Sequence, residues 1–436
     1  MEMLAPLIFL ALLATAGFLF YKKATLIKKT ILLGKSEIQY DQPGRRWKQV
    51  LLLALGQKKM FKNPLVAFLH LIIYAGFIII NLEVLEIIID GITGKHRVFL
   101  PFIGNYYSLF INVFELLAFG VTAVCIVFLV RRNVLYIKRL ASNDLAGWPK
   151  TDANLILIVE IVLMTLFFLM NAADQALQGI DPTHYPATGS FIISSNLVPL
   201  LNKFSSTTLM IVERGAWWLH IISILAFLNY LPYSKHLHII LAFPAAYYSA
   251  LEPAGKMKNM PSVQNEVLYA MDPSKAPTDA APPSTFGAKD IFDLNWKSLM
   301  EAYSCTECGR CSAACPATTT GKLLSPRKIM MATRDRLEVV AQNIQKNTNF
   351  VDDQKTLLHD YISVEELRAC TTCNACVEAC PVSLSPLDII MELRRSLIME
   401  ESNAPSEWNN TFSNIENNFA PWKFSPEDRE NWAKEN

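Results

Sequence analysis

The sequence is short of several things, and each shortage excludes a class of protein. Its 40 Lys and Arg nearly cancel its 39 Asp and Glu, leaving a net charge of +1. No basic footprint for nucleic acid exists, and no nucleic-acid partner is expected. There is no C-x-x-C-H, which excludes covalent c-type haem attachment. There is no G-x-G-x-x-G, so no dinucleotide loop for flavin or nicotinamide is expected. Strand-like alternation is missing between the two cysteine motifs, which argues against a β-containing cluster module. Cysteine is scarce too: eight of the nine lie in two short stretches, and Cys125 in an apolar run is most simply a small buried hydrophobe.

Those two stretches are the most informative part of the chain. Cys305-Thr-Glu-Cys308-Gly-Arg-Cys311-Ser-Ala-Ala-Cys315-Pro316 is followed by Cys370-Thr-Thr-Cys373-Asn-Ala-Cys376-Val-Glu-Ala-Cys380-Pro381. Each has the C-x2-C-x2-C-x3-C-P spacing of a [4Fe–4S] cluster, in which the fourth Cys ligates the cluster of the other motif. One cluster is therefore assigned to Cys305, Cys308, Cys311 and Cys380. The other is assigned to Cys370, Cys373, Cys376 and Cys315. The plainer alternatives are structural zinc, which needs only two ligand pairs, and disulfides, which impose no such spacing. Eight thiols kept for metal imply a reducing compartment for this half.

The 436 residues leave room for two or three domains. Residues 1–250 carry long apolar runs, and five of them, roughly 3–21, 64–89, 107–130, 154–172 and 208–231, are long enough to span a bilayer. The first lacks the basic start of a signal peptide and is followed at once by Lys22-Lys23, as in an uncleaved anchor. Basic residues crowd the 22–62 loop (Lys28, Lys29, Arg45, Arg46, Lys58, Lys59) and the 131–150 loop (Arg131, Arg132, Lys138, Arg139). The alternate loops are poor in them. The positive-inside rule then places the N-terminus outside and the C-terminal half in the cytoplasm of a bacterial cell. Within the first inner loop, Arg45-Arg46-Trp47-Lys48 and Val50-Leu51-Leu52-Leu53 predict an amphipathic helix on the lipid surface.

Residues 251–295, rich in Pro, Ala, Ser and Lys, are expected to be a linker without a core. Residues 296–401 hold both cysteine motifs among helical signals. Ser325-Pro326 and Ser385-Pro386 each open a helix with Pro in the first turn. Residues 402–436 form a polar tail that packs on a partner or stays irregular. The fold class expected is all-α: a five-span transmembrane bundle followed by a cytoplasmic α-helical ferredoxin domain with two [4Fe–4S] clusters.

Histidines in the membrane half matter because an intramembrane ionisable group is costly and by default functional. His70 lies two turns into the second span. His220 lies inside the fifth, and His236 and His238 follow its inner end. If the fifth helix continues through Pro232, His220 and His238 share a face about 27 Å apart along the axis, and His236 points elsewhere. The structural alternative for each is a hydrogen bond between helices. For His70 and His238 together, at similar depth beside a cluster module, bis-histidine haem b is the reading adopted, with His236 as a further cofactor-binding candidate.

At these residues the chain resembles a known family. Trp218-Leu219-His220 through Leu231-Pro232-Tyr233-Ser234-Lys235-His236-Leu237-His238 resembles the last span of the nitrate reductase gamma-subunit family, which includes the membrane subunit of heterodisulfide reductases. Asn63-Pro64 through Phe68-Leu69-His70 resembles its second span. The resemblance implies two stacked haems b in a five-span bundle that reacts with quinol at its outer end. His70 and His238 match the ligands of the inner haem, and His220 matches one ligand of the outer haem. The partner expected for His220 falls near Ile80-Asn81, where no histidine stands; His96 or His184 from an outer loop could supply one. The alternative use of His220 is a hydrogen bond to a quinone carbonyl, with Glu83 or Glu115 exchanging protons at the outer face. The soluble half, through Gly321-Lys322-Leu323-Leu324-Ser325-Pro326-Arg327-Lys328 and Leu393-Arg394-Arg395, resembles the heterodisulfide reductase C-subunit and related respiratory iron–sulfur oxidoreductases. Relatives of that kind carry or pair with a cysteine-rich CCG domain, which this sequence lacks.

The function expected is that of a membrane-bound electron-transfer subunit. It links menaquinone or ubiquinone, haem b and two [4Fe–4S] clusters to a cytoplasmic partner, a CCG-domain or other iron–sulfur or flavin subunit that carries the substrate chemistry. The alternative is a haemless membrane anchor that docks a ferredoxin-like module onto a larger complex.

Overall fold

The computed structural model describes residues 4–36, 41–253, 255–277, 285–423 and 425–434. Among these the secondary structure is helical, with two isolated β-bridges and no strand.

Five long apolar helices form the N-terminal half: α1 (Leu4–Ile31), α3 (Pro64–Thr93), α4 (Tyr107–Asn133), α5 (Trp148–Gln178) and α6 (Ser206–Tyr230). Between the first two, α2 (Pro43–Gln49) runs on as a wider turn over Val50–Leu55. Local chemistry sets the ends. Asn63 accepts the Val66 N–H ahead of α3, and Pro64 fills the first turn, where its missing N–H is not needed. Gly94, in the left-handed region at φ 71°, returns its N–H to the Asp90 carbonyl and stops the helix. All five helices are long and apolar enough to cross a membrane. Outward-facing Leu7, Phe18, Ile78, Phe119, Ile158 and Ile222 are exposed, an arrangement suited to lipid and costly in water.

The helices pack in a closed ring. α3 lies on α4, α4 on α5 and α5 on α6, while α1 closes the circle against both α3 and α6. At Gly76 the α3–α4 approach is so close that a Cβ would lie 2.6 Å from Val121 Cγ2.

The structure lengthens one span and breaks another. The first helix runs past the expected span, on to Ile31. Its end carries Ile27 and Ile31 into the core of the C-terminal module beside Leu299, Ile329 and Leu393. The fifth span does not continue through Pro232. α6 gives way to short 3-10 turns at Leu231–Tyr233 and Lys235–Leu237, and α7 (His238–Tyr247) then begins at His238 itself. Pro232 lacks the donor that the ladder would need, so His220 and His238 sit on different helices.

The C-terminal module is built on α9 (Trp296–Ser304), α10 (Pro326–Asn347) and α11 (Pro386–Arg395), which follow α8 (Pro261–Met271). Ser325 and Ser385 cap α10 and α11 by accepting the Lys328 and Asp388 N–H groups. α9 packs against α7, α10 and α1, so the two halves share apolar contacts rather than meeting only through a tether. Segment 251–295, expected to lack a core, contains α8. It also ends packed: Ala288, Ile291 and Leu294 are buried in the module, and the Ala288 N–H reaches the Glu392 carbonyl at 2.9 Å. In the tail, residues Ser406–Asn418 form α12.

Candidate metal centres

The two cysteine loops have nearly superimposable backbones. The residues before the second cysteine, Glu307 and Thr372, are left-handed at φ 51° and 57°. The residues after it, Gly309 and Asn374, are left-handed at 71° and 64°. The fourth cysteines, Cys315 and Cys380, leave their short helices at φ −78°, ψ 122° and φ −76°, ψ 124°. Left-handed residues inside a tight loop turn backbone N–H groups toward its hollow, which favours an anionic occupant. Two such donors already meet sulfur: Thr372 N lies 3.4 Å from Cys370 Sγ, and Leu384 N lies 3.3 Å from Cys380 Sγ.

The thiols fall into two groups. Cys311 is held in the field of Cys305, Cys308 and Cys380, with Cys376 of the other group acting on it more weakly. Cys376 is held in that of Cys370, Cys315 and Cys373. Cys380 thus lies near Cys305 and Cys308, and Cys315 near Cys370 and Cys376. Burial, with repulsion from neighbouring sulfurs, pushes Cys305 up to about 11 and Cys376 and Cys380 up to about 12. Thiols so arranged would not ionise together unaided. Multivalent iron reverses that preference by binding the thiolates directly, so these residues fit a pair of cubane clusters.

The first loop lies against the membrane half. Gly309 faces Leu145, and an added Cβ would sit 2.8 Å from Leu145 Cδ1, so both the positive φ and the contact require glycine there. Arg139 donates to the Cys308 carbonyl. Asp144 accepts a two-pronged contact from Arg327 at 2.8 and 2.9 Å, and also accepts the Ser312 and Ser325 hydroxyls. Although Asp144 is partly desolvated, Arg327 holds its carboxyl below the usual range. The second loop is more open, with Cys373 exposed. Lys59 reaches the Val377 carbonyl at 3.2 Å, and Lys62 pairs with Glu378.

Three histidines share one hydrogen-bonding pattern. His70 Nδ1 meets Gln57 Oε1, His238 Nδ1 meets the Lys235 carbonyl, and His220 Nδ1 meets the Leu163 carbonyl, each at 3.0 Å. An oxygen opposite Nδ1 can only accept, so the proton sits on Nδ1 and Nε2 keeps its lone pair. This is how an iron-ligating histidine is oriented. His220 Nε2 is buried without a partner. His70, His236 and His238 lie within one another's electrostatic range, with Arg310 of the first cysteine loop also near His70. The His236 ring stands edge-on to Phe227 at 5.3 Å and lies 5.6 Å from that of His238. Burial pulls His236 down to about 3 and lowers His238 as well, which keeps both imidazoles neutral, the form that binds metal. The residues fit a haem between His70 and His238.

The remaining expected residues divide sharply. Glu115 is fully engaged: its carboxylate accepts Ile193 N at 2.7 Å, Ser194 N at 3.2 Å, the Ser194 hydroxyl and Asn171 Nδ2. Glu83 is buried with Oε2 unpartnered. Asn81 bonds back to the Phe77 carbonyl of its own helix. His96 Nε2 is taken by Asp174 at 2.6 Å, and exposed His184 by Asp181 at 2.8 Å, so both outer-loop histidines are engaged by carboxylates. Gln57 and Asp144 went unnoticed in the sequence because only tertiary contact gives them a role, and Arg139 was marked only as one of the charges of the inner loop. Arg310, inside the first motif, was at least marked by position.

Comparison with known proteins agrees with the cysteine chemistry. The 4Fe-4S dicluster domain model matches residues 304–384, which contain all eight motif cysteines. The chain is 28% identical to the "Probable iron-sulfur-binding oxidoreductase FadF" of Bacillus subtilis, over 98% of this chain and 61% of that protein. It is 26% identical to the "EtfAB:quinone oxidoreductase" of Syntrophomonas wolfei, over 93% of this chain and 56% of that protein. Over 26% of its length it is 32% identical to the C-subunit of the ferredoxin/F(420)H(2)-dependent CoB-CoM heterodisulfide reductase of Methanosarcina acetivorans, covering 56% of that protein. The chain therefore spans rather more than half the length of these relatives. No solved structure matches. Residues 304–384 are thus a 4Fe-4S dicluster domain, carried behind five apolar helices on a chain whose relatives are iron–sulfur oxidoreductases.

Proposed function

We propose that this chain is the membrane-embedded electron-transfer subunit of a quinone-linked oxidoreductase. It passes single electrons between membrane quinone, menaquinone or ubiquinone, and a cytoplasmic redox partner with an iron–sulfur, flavin or CCG centre. The reading places it in a bacterial cytoplasmic membrane with the N-terminus outside. One observation carries it most: His70 lies within electrostatic range of both His238 and Arg310 of the first cysteine loop. A relative whose name couples EtfAB to quinone supports a quinone at one end and a soluble redox protein at the other.

When bound, haem b and two cubanes supply one-electron carriers, and the protein supplies their spacing and surroundings. Cys305, Cys308, Cys311 and Cys380 would hold one cluster and Cys370, Cys373, Cys376 and Cys315 the other. His70 and His238 would hold the haem, with Gln57 and the Lys235 carbonyl fixing their tautomers. Arg139 and Asp144 clamp the first loop to the bundle and fix the distance that electrons must cross. The exposure of Cys373 makes the second loop the face for a soluble partner.

The test is made on chain purified in mild detergent. About eight irons and a pyridine haemochrome of b type support the reading. Clusters without haem would favour the anchor alternative. Co-purifying proteins would identify the partner.

A further inference from the structure

Glu83, Glu86 and Asp90 recur at i, i+3 and i+7 along α3, on one face, and all three line one cavity at the end of the bundle away from the cluster module. The cavity offers about 10 Å³ to a water-sized molecule, close to the room that a single water needs. That is too little for a quinone ring but suits a proton path. Exposure rises along it: Glu83 is 1% exposed, Glu86 2% and Asp90 8%. The His96 side chain, which also lines it, reaches 21%.

The acids differ in what else they do. Glu86 accepts the Phe99 N–H and the Tyr107 hydroxyl, at 2.9 and 2.8 Å. Asp90 accepts the Arg97 and Val98 N–H groups, both at 2.9 Å. These two therefore also hold the loop after α3. Glu83 has no such task, because its buried Oε2 has no partner. Leaving a buried carboxyl oxygen unpaired costs stability and gains no contact.

The groups facing Glu83 come from every neighbouring element. They are Glu86 and Asp90 on α3, Arg97 in the loop and Glu115 on α4. Ile87 on α3, Met170 on α5 and Glu213 and Trp217 on α6 also line the cavity. Asp174 and Glu213 are answered by Arg97 and Arg214. With those oxygens paired to guanidinium groups, a metal ion is a poor occupant. Trp217, which lines the cavity, stands one turn before His220 on α6.

We propose that Glu83 is the proton-exchanging group of the quinone reaction, and that the cavity ending at His96 is its route to the aqueous face. This rests on the quinone-linked function proposed above. In the oxidising direction a hydroquinone would give two electrons, one at a time, to the haem and clusters that the named histidines and cysteines would hold, and would become the quinone. Each O–H bond broken is matched by a proton taken at Glu83. The proton passes through cavity water, beside Glu86 and Asp90, to the partly exposed end of the cavity at His96, whose Nε2 is held by Asp174 and whose Nδ1 meets Arg214, and then to solvent. Reduction of a quinone runs the same route inward.

The experiment uses the full chain in proteoliposomes with a menaquinol analogue, comparing wild type with Glu83→Gln and Glu115→Gln. Glu83→Gln should slow quinol-driven reduction of the clusters about a hundredfold, the usual scale of lost general acid–base help. Their reduction by dithionite and their EPR spectra should stay unchanged. Infrared difference spectra of the quinone transition should lose a protonated-carboxyl band in Glu83→Gln and keep it in Glu115→Gln. His96→Asn should slow proton appearance reported by a dye on that side. A Glu83→Gln protein that matches wild type in rate and carboxyl band overturns the relay alone. Wild type that quinol cannot reduce overturns the quinone-linked function and the relay with it.

Discussion

Gln57 presents its side-chain oxygen 3.0 Å from His70 Nδ1, across the turn that precedes α3. Gln57 is itself buried and left-handed, at φ 50°, an unfavourable backbone state for a residue with a side chain. A strained, buried amide aimed at one histidine points to a positioning role. Replacing Gln57 by Leu should leave the chain folded and both clusters intact. It should weaken haem retention about 10- to 100-fold, the usual effect of losing a second partner of a metal-binding histidine. Haem titration into haem-depleted protein measures this, and unchanged affinity would show that Gln57 does not orient the ligand.

The exchange of fourth ligands makes a prediction that no single motif would. Cys315 belongs to the first motif by sequence but neighbours Cys370 and Cys376 in space. Cys315→Ser should therefore damage the cluster on Cys370, Cys373 and Cys376 and spare that on Cys305, Cys308 and Cys311. EPR of the reduced variant distinguishes them, and loss of the first motif's signal alone would contradict the pairing.

Much of this was legible in the sequence, and the reasons differ by element. The cluster loops were legible because iron geometry dictates cysteine spacing, and spacing survives in one dimension. The helical character of both halves followed from apolar runs and from Ser-Pro starts at Ser325 and Ser385. The true length of α1 was not legible. Lys22 and Lys23 look like the end of a span, but Lys23 instead pairs with Glu338 at 2.8 Å and the helix runs on. The break at Pro232 was signalled by the proline itself, yet whether a helix bends or ends there depends on what Asp152 and Pro149 accept from Lys235. Glu83 and Glu115 looked alike until tertiary contacts satisfied one and left the other unpaired.

Asp144 joins the halves, and its charge sets the pH range of the junction. A carboxyl held below its usual range in the folded chain contributes stability that is fully present above the unfolded value, about pH 4. That contribution is lost as pH falls through the lowered folded value. The clamp should therefore be intact at neutral pH and weaken only in acid. Asp144→Asn should cost about 1.5–3 kcal/mol, the scale of a hydrogen bond to a charged group, and should remove that acid-dependent loss. Limited proteolysis across pH 3–7 would show it. If the variant and wild type open at the same rate throughout, the clamp does not hold the junction.

His220 offers the sharpest choice. Its Nε2 is buried and unpartnered, and its Nδ1 is committed to the Leu163 carbonyl, so Nε2 suits either an iron ligand or an acceptor for a hydroquinone O–H, not a donor to the quinone carbonyl that the sequence reading offered it. A second haem would need another axial ligand, yet position 80 is a buried isoleucine and Asn81 is exposed and bonded to its own helix. His96 and His184 are engaged by Asp174 and Asp181. One haem per two cubanes is the expected stoichiometry. On that basis His220→Ala should leave the haem spectrum intact, because His70 and His238 are on other helices. It should slow quinol turnover, since Trp217, one turn away, lines the cavity that also holds Glu83. Haem and iron assays on the same sample check the first expectation, and stopped-flow reduction by quinol checks the second. Two haems per chain, with one lost in His220→Ala, would make His220 an iron ligand and remove it from the quinone reaction.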